Sequence, residues 1–473
     1  MNAQQSINSV VVGLGKTGLS VVRYLQGRQQ EQNESIAVVD SRSNPPNADD
    51  LKSDYAEIPF HFGDFNSAWF ATAKQLVVNP GIAIATPEIQ QAKKSGAEII
   101  GDIELFAREI GQAKPIIAIT GSNGKTTVTL LLDQMAKKSG IKVGTGGNVG
   151  TPALDLLQKE NTELFILELS SYQLETSPSL QTLSAVVLNV SEDHLDRYDN
   201  DLEKYAQSKA VIYNNCKTVV ANRDDTYSIR FANEASDYQS LVTFGLNKPE
   251  AGQYGIALES GKEWLAKGDE LLMAVDEIKL PGRHNVSNAL AALALGSAAG
   301  LKMSAMLDVL KEFAGTEHRT QWLADINGVN WYNDSKGTNV GATLAALSGL
   351  PGKTVLIAGG QGKGADFLPL QQAIKEKALA VVLMGEDAQQ IADIVPATVE
   401  TIFVNSMAEA VTVAYDLSKK AGNPEQVNVL LSPACASFDM FDNFMVRGEV
   451  FMNEVATLEK NLEEKMEQGV TND

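Results

Sequence analysis

Twice in its amino-terminal third the chain runs an apolar strand straight into a glycine-rich turn and out into a helix: VVVGLGKTGLS at residues 10–20 and IAITGSNGKTT at 117–127. No other feature constrains the fold as strongly. A strand that enters a helix in this way is half of a βαβ unit, which demands a parallel sheet with helices packed on it. In the first segment Gly13, Gly15 and Gly18 satisfy G-x-G-x-x-G, and Asp40 ends the next strand, SIAVVD, about 22 residues further on, as in a dinucleotide fingerprint. The physics is broader than NAD. Glycines let backbone N–H groups approach a diphosphate and the helix offers its positive N-terminus, so any nucleotide diphosphate suits the turn.

In the second segment Gly121, Ser122, Asn123, Gly124, Lys125, Thr126 and Thr127 make the turn and the helix start. A full P-loop carries another glycine five residues before Gly124, where this chain has Ile119. The working parts remain: backbone N–H groups for phosphate oxygens, a lysine for the terminal phosphates and the Thr126 hydroxyl for Mg²⁺. An ordinary strand-to-helix turn is the bland alternative. A dehydrogenase needs no γ-phosphate site, so the second loop weakens a hydride-transfer reading of the first.

A chain of 473 residues exceeds what one core holds, and its strand–helix alternation divides into three series. The predicted fold is α/β in three domains. Residues 1–103 form a Rossmann-like domain, 104–315 a central P-loop ATPase-like domain with a parallel sheet, and 316–473 a second Rossmann-like α/β domain. The tail EVATLEKNLEEKMEQ reads as an amphipathic helix with a solvated acidic face. A net charge of −20 disfavours nucleic acid and anionic lipid as partners. Phosphates would have to be held by local loops, a few placed cations and Mg²⁺. No apolar run spans a bilayer and the start lacks a signal-peptide pattern, so a cytoplasmic location is expected. Cys216 and Cys435 are too few for a disulfide framework and are expected to be packing residues.

Polar clusters repeatedly follow a strand directly, which places them on the carboxyl edge of an open sheet, where ligands bind. Glu168 ends the strand LFILE, and His194 and Asp196 follow the next strand in NVSEDHLDRY. An acid there binds Mg²⁺ or needs a buried partner. In DLEKYAQSKAVIY, Leu202, Tyr205, Ala206, Ile212 and Tyr213 make one helical face, and Lys209 sits on it. Its stem could simply cover apolar surface. Alternatively, burial could hold the amine neutral and let it react with CO₂, giving a metal-binding carbamate. Spacing does not choose between the two, although Glu168, His194 and the P-loop on one edge suggest a Mg²⁺-ATP centre.

These motifs, in this order, resemble the Mur ligase family over essentially the whole chain: VVVGLGKTG, ITGSNGKTT, GGNVGTPAL, ELSSYQLE, NVSEDHLDRY, YAQSKAVIY, PGRHNVSNALAA, EHRTQ, NDSKGTN, GGQGKGADF and SPACASFDMF. GSNGKTT and EHR are shared broadly in that family. NDSKGTN and SPACASFDMF resemble its D-glutamate-adding branch.

The resemblance implies an ATP-driven amide synthesis for peptidoglycan precursors. The carboxylate of UDP-N-acetylmuramoyl-L-alanine attacks the γ-phosphate, and the amine of D-glutamate displaces phosphate from the resulting acyl phosphate. The first loop then holds UDP, with Gly15, Lys16 and Thr17 at the diphosphate and Asp40, Ser41 and Arg42 near uracil. By the same resemblance Lys125 and Thr126 hold ATP phosphates and metal, while Glu168, His194 and carbamylated Lys209 complete a centre for Mg²⁺, two ions being expected. Asn148 and His194 position the muramoyl substrate, Asn288 meets adenine, Arg319 the γ-phosphate, and Asp334 and Lys336 the ATP or its reacting end. Thr338, Lys363, Ser437 and Phe444 clamp D-glutamate. A monomer is expected, with the third domain closing on the second, because ATP contacts fall on both sides of the join near 315.

Taken without the resemblance, the serine and threonine positions are ordinary turn or cap residues, Lys363 a solvated loop lysine and Phe444 core. Gly337 in NDSKGTN and Gln361 in GGQGKG depart mildly from the family pattern and put local loop geometry in question. Rival readings are an NAD-dependent oxidoreductase, a nucleotide-switched binding protein, and a folate-polyglutamylating ligase.

Overall fold

The consecutive valines of the first strand leave no polar face, so both sides of its sheet must be covered. In the computed structural model, which describes residues 7–32, 35–65, 67–193, 195–280, 282–315, 317–420 and 426–470, the strand Ser9–Val12 is buried throughout. Val10 and Val12 enter one core layer with Val39, Phe70 and Leu76, and Val11 enters the opposite layer with Val38 and Val22, as the two-residue period of a strand dictates. The sheet is parallel, in the order Phe60–Phe62, Ile36–Asp40, Ser9–Val12, Gln75–Val78, Glu98–Ile100. Strand order reverses at Ser9–Val12, which opens a crevice beyond its carboxyl end at the glycine turn. A Cβ on Gly18 would stand 2.0 Å from the Gly13 carbonyl oxygen, so only glycine lets the helix Lys16–Gln32 back onto that turn.

The second sheet runs Val143–Gly147, Leu164–Glu168, Ile116–Thr120, Thr182–Val187, Cys216–Asn222, Ser240–Phe244, Tyr254–Glu259, Lys262–Lys267, Glu270–Ala274. It is parallel through Tyr254–Glu259, and the last three strands form an antiparallel meander. The central sheet is thus parallel-dominated, as expected, and carries an antiparallel edge. Short turns at Gly261 and Gly268, both at positive φ, allow the chain to reverse without a helical crossover. The Ala-rich helix Arg283–Ala298 is buried along nearly its whole length, as its all-round apolarity requires.

The third sheet runs Gln321–Ile326, Val329–Asn333, Val427–Leu431, Lys353–Ala358, Ala378–Leu383, Glu400–Phe403. It is parallel except for its first strand, which is paired by a hairpin whose turn residues Asn327 and Gly328 have φ of 53° and 82°. The terminal helix spans Phe444–Val470, starting well before the tail segment that reads as amphipathic. The Asn443 side chain accepts from the backbone N–H groups of Met445 and Val446 and caps it.

One apolar layer passes unbroken from the first sheet to the second: Val11, Val38 and Val77 join Phe106 of the helix Asp102–Ile110, then Phe165, Leu167 and Val219. Among the described residues, both layers of the third sheet contain only residues of that unit. The first two units share a core, whereas the third meets the second around a cavity.

Candidate active site

The strand Ile116–Thr120 continues past Ile119, which is fully buried in it. The missing P-loop glycine is thus a shorter turn, Gly121 to Gly124, before the helix Lys125–Lys138. Gly124 adopts φ of 82°, and a Cβ on it would meet Asn288 Oδ1 at 2.4 Å. Asn189 clasps the turn, accepting from the Asn123 N–H at 2.9 Å and donating to the Asn123 carbonyl at 3.1 Å. Ser122 Oγ accepts from the Ser191 N–H at 2.9 Å. Lys125 folds back, Nζ donating to the carbonyls of Gly121 and Ser122 at 2.6 and 2.8 Å. The turn is an organised cradle with its lysine tethered over it.

A polar chain crosses from the third unit into this cradle. Arg319 Nη2 donates to Thr126 Oγ1 at 2.6 Å, and Thr126 Oγ1 donates to Glu168 Oε2 at 2.8 Å. Asn148 Nδ2 holds the other oxygen, Oε1, at 3.0 Å. Lys209 is 2 % exposed. Its Nζ stands 3.3 Å from the Gly121 carbonyl and 4.3 Å from the Tyr205 ring centroid. Burial, and then the neighbouring Lys125, hold its amine well below the ordinary lysine range. The reading in which the Lys209 stem covers apolar surface and its amine stays in water does not fit this burial.

The third unit supplies the opposite wall. Asp334 accepts from the Thr320 N–H at 3.0 Å and from Ser432 Oγ at 2.7 Å, and burial pushes its carboxyl up to about 6. Burial, with Arg319 and Lys125 nearby, brings Lys336 down to about 8; its Nζ lies 4.5 Å from the Phe444 ring centroid. Gly337 has a plain reason: a Cβ there would meet Asp334 Oδ2 at 2.5 Å and Ser432 Oγ at 2.6 Å. Ser437 is buried, and Lys363, at φ of 54°, places Nζ 5.5 Å from the Phe438 ring centroid.

A cavity of about 730 Å³ joins the two walls. It is lined by Ser122 through Thr127, Asn148, Glu168, Lys209, Asn288, Arg319, Asp334, Lys336, Thr338, Lys363, Ser437 and Phe444. Gly121 contributes through its carbonyl rather than to the lining. In a chain of net charge −20 this one space gathers Lys125, Lys209, Arg319 and Lys336, each with its proton affinity lowered chiefly by burial. Such a cluster is built to receive concentrated negative charge. Two oxygen donors, Thr126 and Glu168, sit beside it, the ligand type hard divalent cations take.

Gly15, Lys16, Thr17, Asp40, Ser41 and Arg42 do not reach this cavity; they sit around the glycine turn of the first sheet. Asp40 accepts from the Leu14 N–H at 2.7 Å and from Arg42 Nε and Nη2 at 2.9 and 2.7 Å. Burial opposes its ionisation, but the Arg42 fork and the backbone donors outweigh that and hold its pKa below the ordinary value. Lys16 Nζ reaches the Gly150 carbonyl at 2.7 Å, tying the turn to the loop that carries Asn148. His194 lies outside the described residues.

Matches to known sequence families cover all three units. The family described as Mur ligase MurD-like, N-terminal domain, matches residues 7–101, the Mur ligase middle domain matches 119–296, and the Mur ligase, glutamate ligase domain, matches 318–435. The chain belongs to the Mur ligase family. A UDP-N-acetylmuramoylalanine–D-glutamate ligase of Nitrosococcus oceani is 49% identical over 96% of this chain and 98% of its own length. The one named likewise in Legionella pneumophila is 44% identical over 95% of this chain and 99% of its own. Among solved structures, MurF from Acinetobacter baumannii has a TM-score of 0.59 at 16% identity, covering 95% of this chain and 92% of that one. The UDP-N-acetylmuramate-alanine ligase of Thermotoga maritima has 0.56 at 20%, covering 95% and 99%. The three-unit fold is thus a Mur ligase fold.

Sequence reading missed several members of this Mur ligase site. Asn189 and Asp193 line the cavity within the same NVSEDH loop as His194, a signal in plain view. Arg447 is 2 % exposed, with Nε on Ser335 Oγ at 3.0 Å, Nη1 on the Cys435 carbonyl at 3.1 Å and Nη2 on the Ser335 carbonyl at 2.8 Å. It braces NDSKGTN against SPACASF. Asn443 at the start of the terminal helix is the cap signal that could have placed the helix, though not the partners of Arg447.

Proposed function

We propose that the protein is an ATP-dependent ligase that adds D-glutamate to UDP-N-acetylmuramoyl-L-alanine in peptidoglycan precursor synthesis. The observation that carries the reaction class is the cluster of buried cations around a P-loop, completed by Arg319 from another unit. The likeness to ligases of that name over nearly the full chain supports the substrate pair. The units are taken as residues 1–103, 104–315 and 316–473, the third closing on the second when ligands bind.

The substrate carboxylate and the γ-phosphate repel until cations neutralise them, and carboxylate oxygen leaves only once phosphorylated. Lys125 and the N–H groups of the turn hold the phosphates, Arg319 and Lys336 meet the γ-phosphate and its reacting end with Asp334, and Asn288 meets adenine. Thr126, Glu168, His194 and a carbamate on Lys209 would hold Mg²⁺, taken as two ions, which supplies further charge neutralisation. The residues suit that group: Thr126, Glu168 and the carbamate would offer oxygens beside the His194 nitrogen, and burial, which lowers the proton affinity of the Lys209 amine, favours the neutral form that adds CO₂. Attack of the carboxylate oxygen gives an acyl phosphate and ADP. The D-glutamate amine then forms the C–N bond, loses a proton, and phosphate departs.

Asn148 and His194 orient the muramoyl group. Thr338, Lys363, Ser437 and Phe444 receive D-glutamate, whose two carboxylates call for the cation and hydroxyls placed there. In the first unit Gly15, Lys16 and Thr17 hold the diphosphate, and Asp40, Ser41 and Arg42 the uracil end. Both Asp40 oxygens are already committed to Leu14 and Arg42, which weighs against a ribose-binding acid of the NAD type. The enzyme is taken to act as a cytoplasmic monomer.

The test is phosphate release and product mass measured with ATP, Mg²⁺, UDP-N-acetylmuramoyl-L-alanine and each glutamate enantiomer. D-Glutamate should give one amide per ATP consumed. Equal turnover with L-glutamate, or ATP hydrolysis without amide, would reject the assignment.

A further inference from the structure

Arg197 has no part in the reaction just described. It lies in the short 3₁₀ turn Leu195–Tyr198 that follows cavity-lining Asp193. Its guanidinium leaves the second unit and grips the first: Nη1 donates to the Pro80 carbonyl at 2.6 Å and Nη2 to the Ile82 carbonyl at 2.9 Å. The same group lies 3.9 Å from the ring centroid of Tyr172, which lines the cavity, and 3.8 Å from Glu175 Oε2. Glu175 Oε1 accepts from the Tyr198 hydroxyl at 2.5 Å, and the Tyr198 ring lies between Tyr172 and Tyr205. Tyr205 in turn packs under Lys209.

The far end of the grip backs the glycine turn. The Asn79 N–H donates to the Val12 carbonyl at 2.9 Å. A Cβ on Gly13 would meet Ile82 Cδ1 at 2.7 Å, and one on Gly15 would meet Asn79 Nδ2 at 3.2 Å. Residues 79–82 and the turn therefore cannot move independently. A planar fork on two carbonyls, stacked on a ring, sets angle as well as distance, which a point charge does not.

We propose that Arg197 is a positioning residue that fixes the separation and angle between the nucleotide-diphosphate turn of the first unit and the phosphate-transfer cavity of the second. The proposal rests on the reaction assigned above, because only there must ligands of the two sites meet. Arg197 touches no reacting atom. It holds one bound substrate in line with the other.

The experiment compares full-length wild type, Arg197→Ala and Arg197→Lys. Calorimetry gives the affinities for UDP alone and ADP alone, and steady-state turnover gives kcat and KM with all three substrates. For Arg197→Ala the separate affinities should stay within about threefold while kcat falls on the order of 100-fold, the loss that follows from roughly 1 Å of misplacement. Arg197→Lys should recover part of kcat. A kcat within about twofold of wild type, or loss of both affinities together with a lowered Tm, would overturn the proposal. Wild type that formed no amide in the same assay would remove the reaction reading instead. The tie would then be judged by whether UDP tightens ADP binding in wild type but not in Arg197→Ala; no such coupling would sink it.

Discussion

Arg319 donates to Thr126 across 193 positions of sequence, and the bond joins the third unit to the helix start behind the glycine turn of the second. Because Thr126 also donates to Glu168, one guanidinium orients a hydroxyl and a carboxylate as well as presenting charge. Arg319→Ala should lower kcat by about 100- to 1000-fold, the range for losing one preorganised donor. ATP affinity should fall much less. Arg319→Lys should recover little, since lysine lacks the planar fork. Steady-state kinetics with calorimetry of a non-hydrolysable ATP analogue decides this, and an unchanged kcat would refute it.

Lys209 is a buried amine beside a second buried amine, Lys125, and burial leads the fall in its pKa. Lys209→Ala should abolish phosphate release and leave the fold intact by circular dichroism. Short carboxylates added to the variant should restore part of the rate if a carbamate is what the site lost. Full turnover without rescue would dismiss a metal-binding role.

Gly337 lies where any Cβ would push the Asp334 carboxylate away from Ser432. Gly337→Ala should destabilise the third unit by about 1–3 kcal/mol, the usual cost of overpacking. It should also raise the KM for ATP, because Asp334 and Lys336 flank the residue. Chemical unfolding and kinetics of one preparation test both, and an unaffected KM would show that the loop absorbs the extra atom.

Asp102 is buried at the start of the helix that joins the first two sheets. Among the described residues its Oδ1 has no hydrogen-bond partner, and Gln173 Nε2 is 3.4 Å from Oδ2. Burial raises its carboxyl to about 6, above an unfolded value of about 3.9. The folded protein thus binds the extra proton between these values, so this group's contribution to stability is full below about pH 4 and is lost as pH rises through about 6. Asp102→Asn should be more stable than wild type at pH 7.5, by at most about 3 kcal/mol, and should flatten the pH dependence of unfolding between pH 4 and 6. Parallel wild-type and variant curves across that window would contradict this.

The site was legible where chemistry is local. GSNGKTT needs only a strand before it and a helix after it to form its glycine turn, whereas the spacing that put Lys209 on an apolar helical face left open whether its amine would be buried. Arg197, Arg447 and the Thr126–Glu168 bond gave no such signal, because each depends on a partner far along the chain. The Asn327–Gly328 hairpin and the Asn443 cap were readable turn chemistry that the larger motifs overshadowed.

What the sequence determined alone is the set of strand–turn–helix units and the residue types poised at their ends, because backbone dihedrals and hydrogen-bonding capacity are settled within a few residues. Tertiary structure decided which ends face each other: the first two units share an apolar layer, the third presents Arg319 and Lys336 across a cavity, and four basic side chains are buried together. Proton affinity and neighbourhood arise from burial and long-range contact, which depend on where the whole chain folds and not on any short stretch of it.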